Sequence, residues 1–222
     1  MNLLKIMKSR HSVRAFLDKA VTKTDVTTIL EAARFAPSGV NTQPWSVIVV
    51  NHDYIQQIGK AITTAKEANT PESPDYHYYP TEWVEPYKSR RKACGLALYS
   101  SLDITLDQTE KRKIQWYRNY FFFGAPVGLL FFIDAKLEKG SWVDMGMFIQ
   151  NVMLAAKTLG LDTCPQASLA EHPDIVRKIV NVSQEKALLC GMALGYCDVN
   201  HPVNQFRTTR EDVDTFTQFL GF

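Results

Sequence analysis

"SWVDMGMFIQNVMLAAKTLG", residues 141–160, decides the fold. Apolar residues lie nearly all round its helical wheel, a pattern a helix carries only when it is covered on every side. Ser141 reads as its N-cap with Asp144 completing a capping box, and Gly160 as its stop. A helix so apolar must be the buried centre of a layered structure. The runs on either side of it supply the layers. "VGLLFFID" (127–134) and "KALLCGMALGYCD" (186–198) are short apolar runs of the kind found in strands covered on both faces. "WSVIVV" (45–50) is a third.

Helices fill the gaps. "TKTDVTTILEAARFAP" (22–37) offers Thr22 and Asp25 as a capping box, an apolar stripe at Val26, Ile29, Leu30 and Ala33, and Pro37 as a stop. A second helix is expected from Asp53, with Ile55, Ile58 and Ile62 on one face. Others are expected over 88–101 and 107–120, and one with Pro173 in its first turn. A last helix is expected after Thr208 and Glu211, with a stripe at Val213, Phe216 and Leu220. The expected architecture is α+β, a mixed central sheet sandwiched by helices, in one domain over 1–222 with no internal boundary. Residues 69–87, "NTPESPDYHYYPTEWVEPY", have four prolines and no period, so they read as a long loop or lid.

Composition excludes more than it assigns. The 222 residues carry a net charge of +2, with 45% hydrophobic and 22% charged residues. Neither a nucleic-acid partner nor a membrane follows from such totals. Lys5 and Lys8 interrupt any secretory h-region, and no apolar stretch is long enough to span a bilayer, so a cytoplasmic protein is expected. The four cysteines show no CxxC pair and the five histidines no HxH or HExxH spacing, so no metal site is read. Cys164, beside Pro165, is weighed as a reactive thiol and set below a plain free one. GxGxxG after a strand, GxxxxGK[ST] and GxSxG are all missing, and no carboxylates pair for acid–base work.

Three segments hold polar groups in unusual places. In "SRHSVRAF" (9–16), extended chain puts Arg10, Ser12 and Arg14 on one face and His11, Val13 and Ala15 on the other. Two guanidiniums and a hydroxyl in a row suit a phosphate clamp, or else a solvated edge strand. In "PSGVNTQPW" (37–45), Ser38, Asn41 and Gln43 precede a fully apolar strand, as a ligand-facing segment or a plain helix-to-strand turn. In "CPQASLAEHP" (164–173), small residues leave room for something flat to approach the backbone.

Together these segments resemble the FMN-dependent nitroreductase family. "SRHSVRAF" is similar to its R-x-S-x-R segment, and "APSGVNTQPW" to its P-S-x-x-N-x-Q-P-W segment. "LAAKTLGLDTCPQAS" is similar to its buried helix and flavin-edge loop, and "TTREDV" with the terminal "LGF" to its closing segment. The resemblance implies an intertwined homodimer with FMN at the interface. Arg10 and Ser12 would clamp the phosphate with His11 beside them and Arg210 from the C-terminal end. Arg207 would substitute for a basic residue the family often has where Thr208 stands. Arg14 would place charge near flavin O2 and N1. Pro37, Ser38, Asn41 and Gln43 would reach the flavin from the other subunit, and Pro165, Gln166 and Ala167 would lie along the ring. Arg90 or Arg91 is the guess for a further mid-chain ligand.

"NYFFFGAP" and the aromatic loop look like the nitroaromatic-reducing branch, although at least two of Phe121 to Phe123 are expected in the core. The implied function is NAD(P)H oxidation with ping-pong hydride transfer through FMN N5 to a small, flat, electron-poor acceptor such as a nitroaromatic or quinone. NADH and NADPH are both open as reductant, and no catalytic acid or base is required of the protein. The alternatives are an FMN-storage module without turnover, a reductive dehalogenase or flavin-destroying member of the family, and a phosphate-binding protein without flavin.

Overall fold

The three apolar runs become strands β1 (Ser46–Val50), β2 (Val127–Asp134) and β4 (Lys186–Gly195). A fourth, β3 (Asp162–Gln166), forms from "DTCPQ", which the sequence reading assigned to a loop. The computed structural model describes residues 2–222. The strands pair in the order β1-β2-β4-β3, every pair antiparallel. The parallel component expected of a mixed sheet is confined, among the described residues, to one isolated bridge between Ser12 and Thr163.

The helices are α1 (Leu3–Ser9), α2 (Lys23–Ala33), α3 (His52–Glu67), α4 (Tyr87–Ser100), α5 (Thr109–Tyr117), α6 (Lys139–Thr158), α7 (Pro173–Val180) and the single turn α8 (Val213–Phe216). They cover the sheet on both faces. Side chains alternate across β2, so Leu129, Phe131 and Ile133 join Val26 and Ile29 of α2 and Phe148 and Val152 of α6 in one apolar core. Leu130 and Phe132 point the other way and meet Ile55, Ile58 and Ile62 of α3 and Val176 of α7 in a second. Each such side chain, taken wholly from water, contributes about 1.5–3 kcal/mol.

A bulge breaks the alternation in β4. Phe131 faces Cys190 but Phe132 faces Leu188, so Leu189 has no partner on β2. Leu189 and Cys190 consequently fall in the same core. The bulge lies beyond the end of β3, whose pairing covers only Gly191 to Gly195. The first part of the aromatic loop fills that place. Leu188 N–H donates to Asp75 at 2.9 Å, and Tyr76 O–H donates to the Leu189 carbonyl.

Two caps differ from expectation. The Thr22–Asp25 capping box is formed as read. The box on α6 is not: the helix begins at Lys139, and Ser141 lies inside its first turn. The Asp144 carboxylate instead accepts the Gly39 N–H at 3.2 Å, tying α6 to the 37–45 segment. Gly160 does stop α6, in the left-handed region at φ +74. The C-terminal helix shrinks to α8 because both of its box residues are engaged elsewhere. Glu211 pairs with Arg90 at 3.0 Å, and Thr208 Oγ1 accepts from Arg210 at 2.7 Å.

Candidate functional site

Residues 10–16 leave α1 as extended chain running beside β3. Val13 N–H donates to Thr163 O at 3.1 Å, and Leu17 N–H to Tyr196 O at 2.9 Å. Val13 and Ala15 are buried as the alternation required. Arg10, Ser12 and Arg14 line a cavity of about 570 Å3. His11, expected on the apolar face, turns into the same cavity. Its Nδ1 lies 3.1 Å from Ser9 O, and its Nε2 is buried with no partner among the described residues. Burial holds the imidazole below its usual pKa, so it is neutral near pH 7.

The opposite wall comes from almost two hundred residues away. Phe206, Arg207, Thr208 and Arg210 line the cavity, with Lys8 from the end of α1. Among the described residues no carboxylate lines it. Burial and the facing Arg210 charge pull the Arg10 guanidinium below its ordinary value. Like charges held this close favour an anion between them. Arg14 stands with its guanidinium carbon 6.0 Å from the Phe123 ring centre and donates to Ser12 O at 3.3 Å. Phe122 and Phe123 are both buried, so the core assignment for two of the three phenylalanines holds.

Beneath the clamp lies Cys164, buried in β3. Burial pushes its thiol up, outweighing the nearby Arg14, Ser12 and Arg10, so it is not an activated nucleophile. Pro165 is exposed, and Gln166 is buried with its amide N–H bound to Asn119 O and its Oε1 unpaired. Behind them Gly191 permits a close approach: a Cβ there would sit 2.0 Å from Leu169. Pro165, Gln166 and Ala167 do not line the cavity.

Pro37, Ser38, Asn41 and Gln43 do not line it either. Asn41 and Gln43 are exposed, with left-handed φ of 59 and 49, and Val40 between Gly39 and Asn41 is 98% exposed at φ 45. The turn is held from within. Ser38 Oγ accepts Gln43 N–H at 3.0 Å, and Ser38 O accepts Asn41 N–H at 3.0 Å. Arg90 is occupied by Glu211, and Arg91 lies 5.1 Å from the Trp83 ring centre. From their helix it is Cys94 that reaches the cavity wall.

The sequence reading missed Lys8, Cys94 and Gln150 of the wall. Gln150 had a signal, being one of two adjacent amides in the otherwise apolar stretch 145–156 of α6. The reading also missed Asn204, buried between the two walls.

Known proteins resemble the chain over nearly its whole length. A family model described as "Nitroreductase family" matches residues 7–196. The chain is 37% identical over 218 residues to the 4-nitrobenzoate reductase of Pseudomonas putida, covering 98% of this chain and 95% of that protein. It is 36% identical over 217 residues to the nitrobenzene nitroreductase of Ectopseudomonas oleovorans, covering 97% and 95%. Its structure matches the FMN and NADPH-dependent nitroreductase NfnB from Sphigopyxis sp. strain HMH with a TM-score of 0.97 at 35% identity, over 100% of both chains. The NfnB of Mycobacterium smegmatis, solved with NADPH, matches at 0.93 and 32%, over 98% and 97%. With its strand order, its arginine-walled cavity and these relatives taken together, the chain belongs to the nitroreductase family.

Proposed function

We propose that this protein is an FMN-dependent oxidoreductase that takes electrons from NADPH or NADH and reduces nitroaromatic or quinone-like acceptors. One observation carries the reading. Segments 10–14 and 207–210 converge on one cavity with four guanidiniums, a serine hydroxyl, an orphaned buried imidazole nitrogen and no carboxylate. That donor set fits a phosphate, and a volume of about 570 Å3 lies within the range of about 300–1,000 Å3 typical of small-molecule sites.

FMN, when bound, supplies the two-electron chemistry between nicotinamide and acceptor. The chain's own residues bind and orient. Arg10, Ser12 and Arg210 hold the phosphate, with Arg207 beside them. Arg14 is a fixed, half-buried cation that stabilises negative charge developing next to it. Pro165, Gln166 and Ala167, outside the cavity, would flank the flat ring of the cofactor. No carboxylate pair is needed, and none lines the cavity.

We further infer a homodimer in which Pro37, Ser38, Asn41 and Gln43 complete the partner's site. The exposure of Pro37, Asn41 and Gln43 supports this, as does the apolar C-terminal surface, where Val213, Phe216 and Leu220 are more than half exposed. The cytoplasm is the proposed compartment, where the four cysteines, none joined in a disulfide, would stay reduced. No helix among the described residues is long and apolar enough to cross a membrane.

The names of the relatives support turnover over FMN storage, and the NfnB structures favour NADPH. The test is the visible spectrum of the purified protein, followed anaerobically. Flavin absorbance should bleach on adding NADPH and return on adding 4-nitrobenzoate. A colourless protein that takes up no FMN would overturn the reading, and a flavoprotein that NAD(P)H cannot reduce would favour storage.

A further inference from the structure

Asn204 is 3% exposed and belongs to neither wall of the cavity, yet it touches both. Its Oδ1 accepts the Arg14 N–H at 2.8 Å. Its Nδ2 donates to Ala15 O at 2.8 Å and to Asp198 O at 2.9 Å. Its backbone carbonyl accepts from the Arg207 guanidinium at 2.7 Å. Ala15 O also accepts the Asp198 N–H at 3.1 Å. One side chain thus spans the extended 10–16 segment and the loop that carries Arg207 and Arg210. Besides it, backbone pairing of the 10–16 segment among the described residues is two isolated bridges, Ser12 with Thr163 and Phe16 with Cys197. A primary amide has the required pattern, two donors and an acceptor at one end of a short side chain.

We propose that Asn204 is a positioning residue that sets the separation of the two arginine walls and so tunes the site for a phosphate group that bridges them. The inference rests on the phosphate-clamp reading above. Asn204 makes no contact with the ligand itself. Its effect reaches a ligand through Arg14 on one side and the Arg207–Arg210 loop on the other. A ligand bridging both walls feels their spacing, whereas one that lacks the phosphate does not.

The experiment compares FMN with riboflavin, which has the same ring and ribityl chain and no phosphate. Both are titrated by fluorescence into the full chain carrying Asn204→Ala, Asn204→Asp or Arg10→Ala. Asn204→Ala should lower the FMN-over-riboflavin preference by about tenfold or more, the loss of about one charge-assisted contact's alignment. Asn204→Asp keeps the volume and the acceptor for Arg14 N–H but loses both donors, and should give an intermediate loss. That variant carries the comparison if the alanine protein does not fold. Arg10→Ala tests the clamp itself and must lower the preference. If it does and neither Asn204 variant does, the positioning role is wrong. If Arg10→Ala leaves the preference unchanged, the clamp reading fails first. Equal losses for FMN and riboflavin in a folded Asn204 variant would mean a general structural role and would also overturn the proposal.

Discussion

Replacing Asp75 by alanine should cost about 3 kcal/mol, because this carboxylate ties the aromatic loop to the bulge in β4. Arg177 donates to it twice, at 2.6 and 3.0 Å, and Leu188 N–H once, at 2.9 Å. The Arg177 side chain is only 7% exposed. Removing one partner of a buried ion pair costs about 3–5 kcal/mol, and an orphaned buried N–H about 1–3 kcal/mol. Two features reduce the sum. Asp174 still pairs with Arg177 at 2.7 Å, and the Asp75 side chain is 20% exposed, so water replaces part of what is lost. About 3 kcal/mol remains, which in a chain of this length lowers Tm by about 6–12 °C. Thermal unfolding at fixed protein and FMN concentration measures it. Tyr78→Ala, at a position 59% exposed in the same loop, should move stability by no more than about 0.5 kcal/mol. If Asp75→Ala melts within 2 °C (~) of wild type, or no lower than Tyr78→Ala, the loop is not anchored where the structure anchors it.

The same anchoring divides the loop into a fixed stem and a free arm, so shortening residues 77–85 should reorder kcat/KM among nitroaromatics and quinones with FMN affinity nearly constant; an unchanged order would make the arm structural. Arg10→Ala should weaken FMN binding by about 1.5–3 kcal/mol, roughly one to two decades, and a wild-type Kd would remove Arg10 from the clamp. Burial holds both His11 and His172 below the ordinary value, with Lys66 adding to the effect at His172. The unfolded chain therefore takes up protons near pH 6.5 while the folded chain does so only at lower pH. The stability these residues contribute is complete above about pH 6.5 and is lost as pH falls towards the folded-state values. The variant carrying His11→Gln and His172→Gln should show a flatter fall in Tm over that window, and an equal slope would refute the assignment.

The parts of the fold that could be read from sequence are those where one physical signal dominates. β2 and β4 are continuous apolar runs because both faces of the sheet are covered there; β1, at the edge, reads the same but leaves Val49 45% exposed, and α2 begins where its capping box says. β3 could not be read this way. "DTCPQ" has the composition of a turn, and it is a strand because β4 offers it a partner and the 10–16 segment covers its other edge. Strand preference of this kind lies in the neighbours and not in the residues. The two capping boxes that failed did so for a related reason. Asp144 and Glu211 found better partners far along the chain, in Gly39 N–H and Arg90. A local pattern cannot foresee a competitor at that distance.

The candidate site divides along the same line, and the division bears on assembly. The residue types of 10–14 suited a phosphate clamp or a solvated edge strand alike, and only the family resemblance favoured the clamp. The meeting of residues 10–14 with 207–210 followed only from the family resemblance; no local pattern marks Asn204, which accepts the Arg14 N–H and donates to Ala15 O. The 37–45 segment differs: its residues read as ligand-facing or as a plain turn, and in the single chain they do not line the clamp cavity. Its backbone is nevertheless fixed with care. Val40, a β-branched residue, holds a left-handed φ of 45 that costs about 1–3 kcal/mol, and it is 98% exposed while doing so. Strain of that size survives when surrounding structure enforces it, and here Asp144, Ser38 and Gly39 do. A turn held this firmly, with Val40, Asn41 and Gln43 outward, fits the homodimer proposed above. A second copy, bringing its own cavity to that surface, would receive them, and would cover the apolar C-terminal residues at the same time.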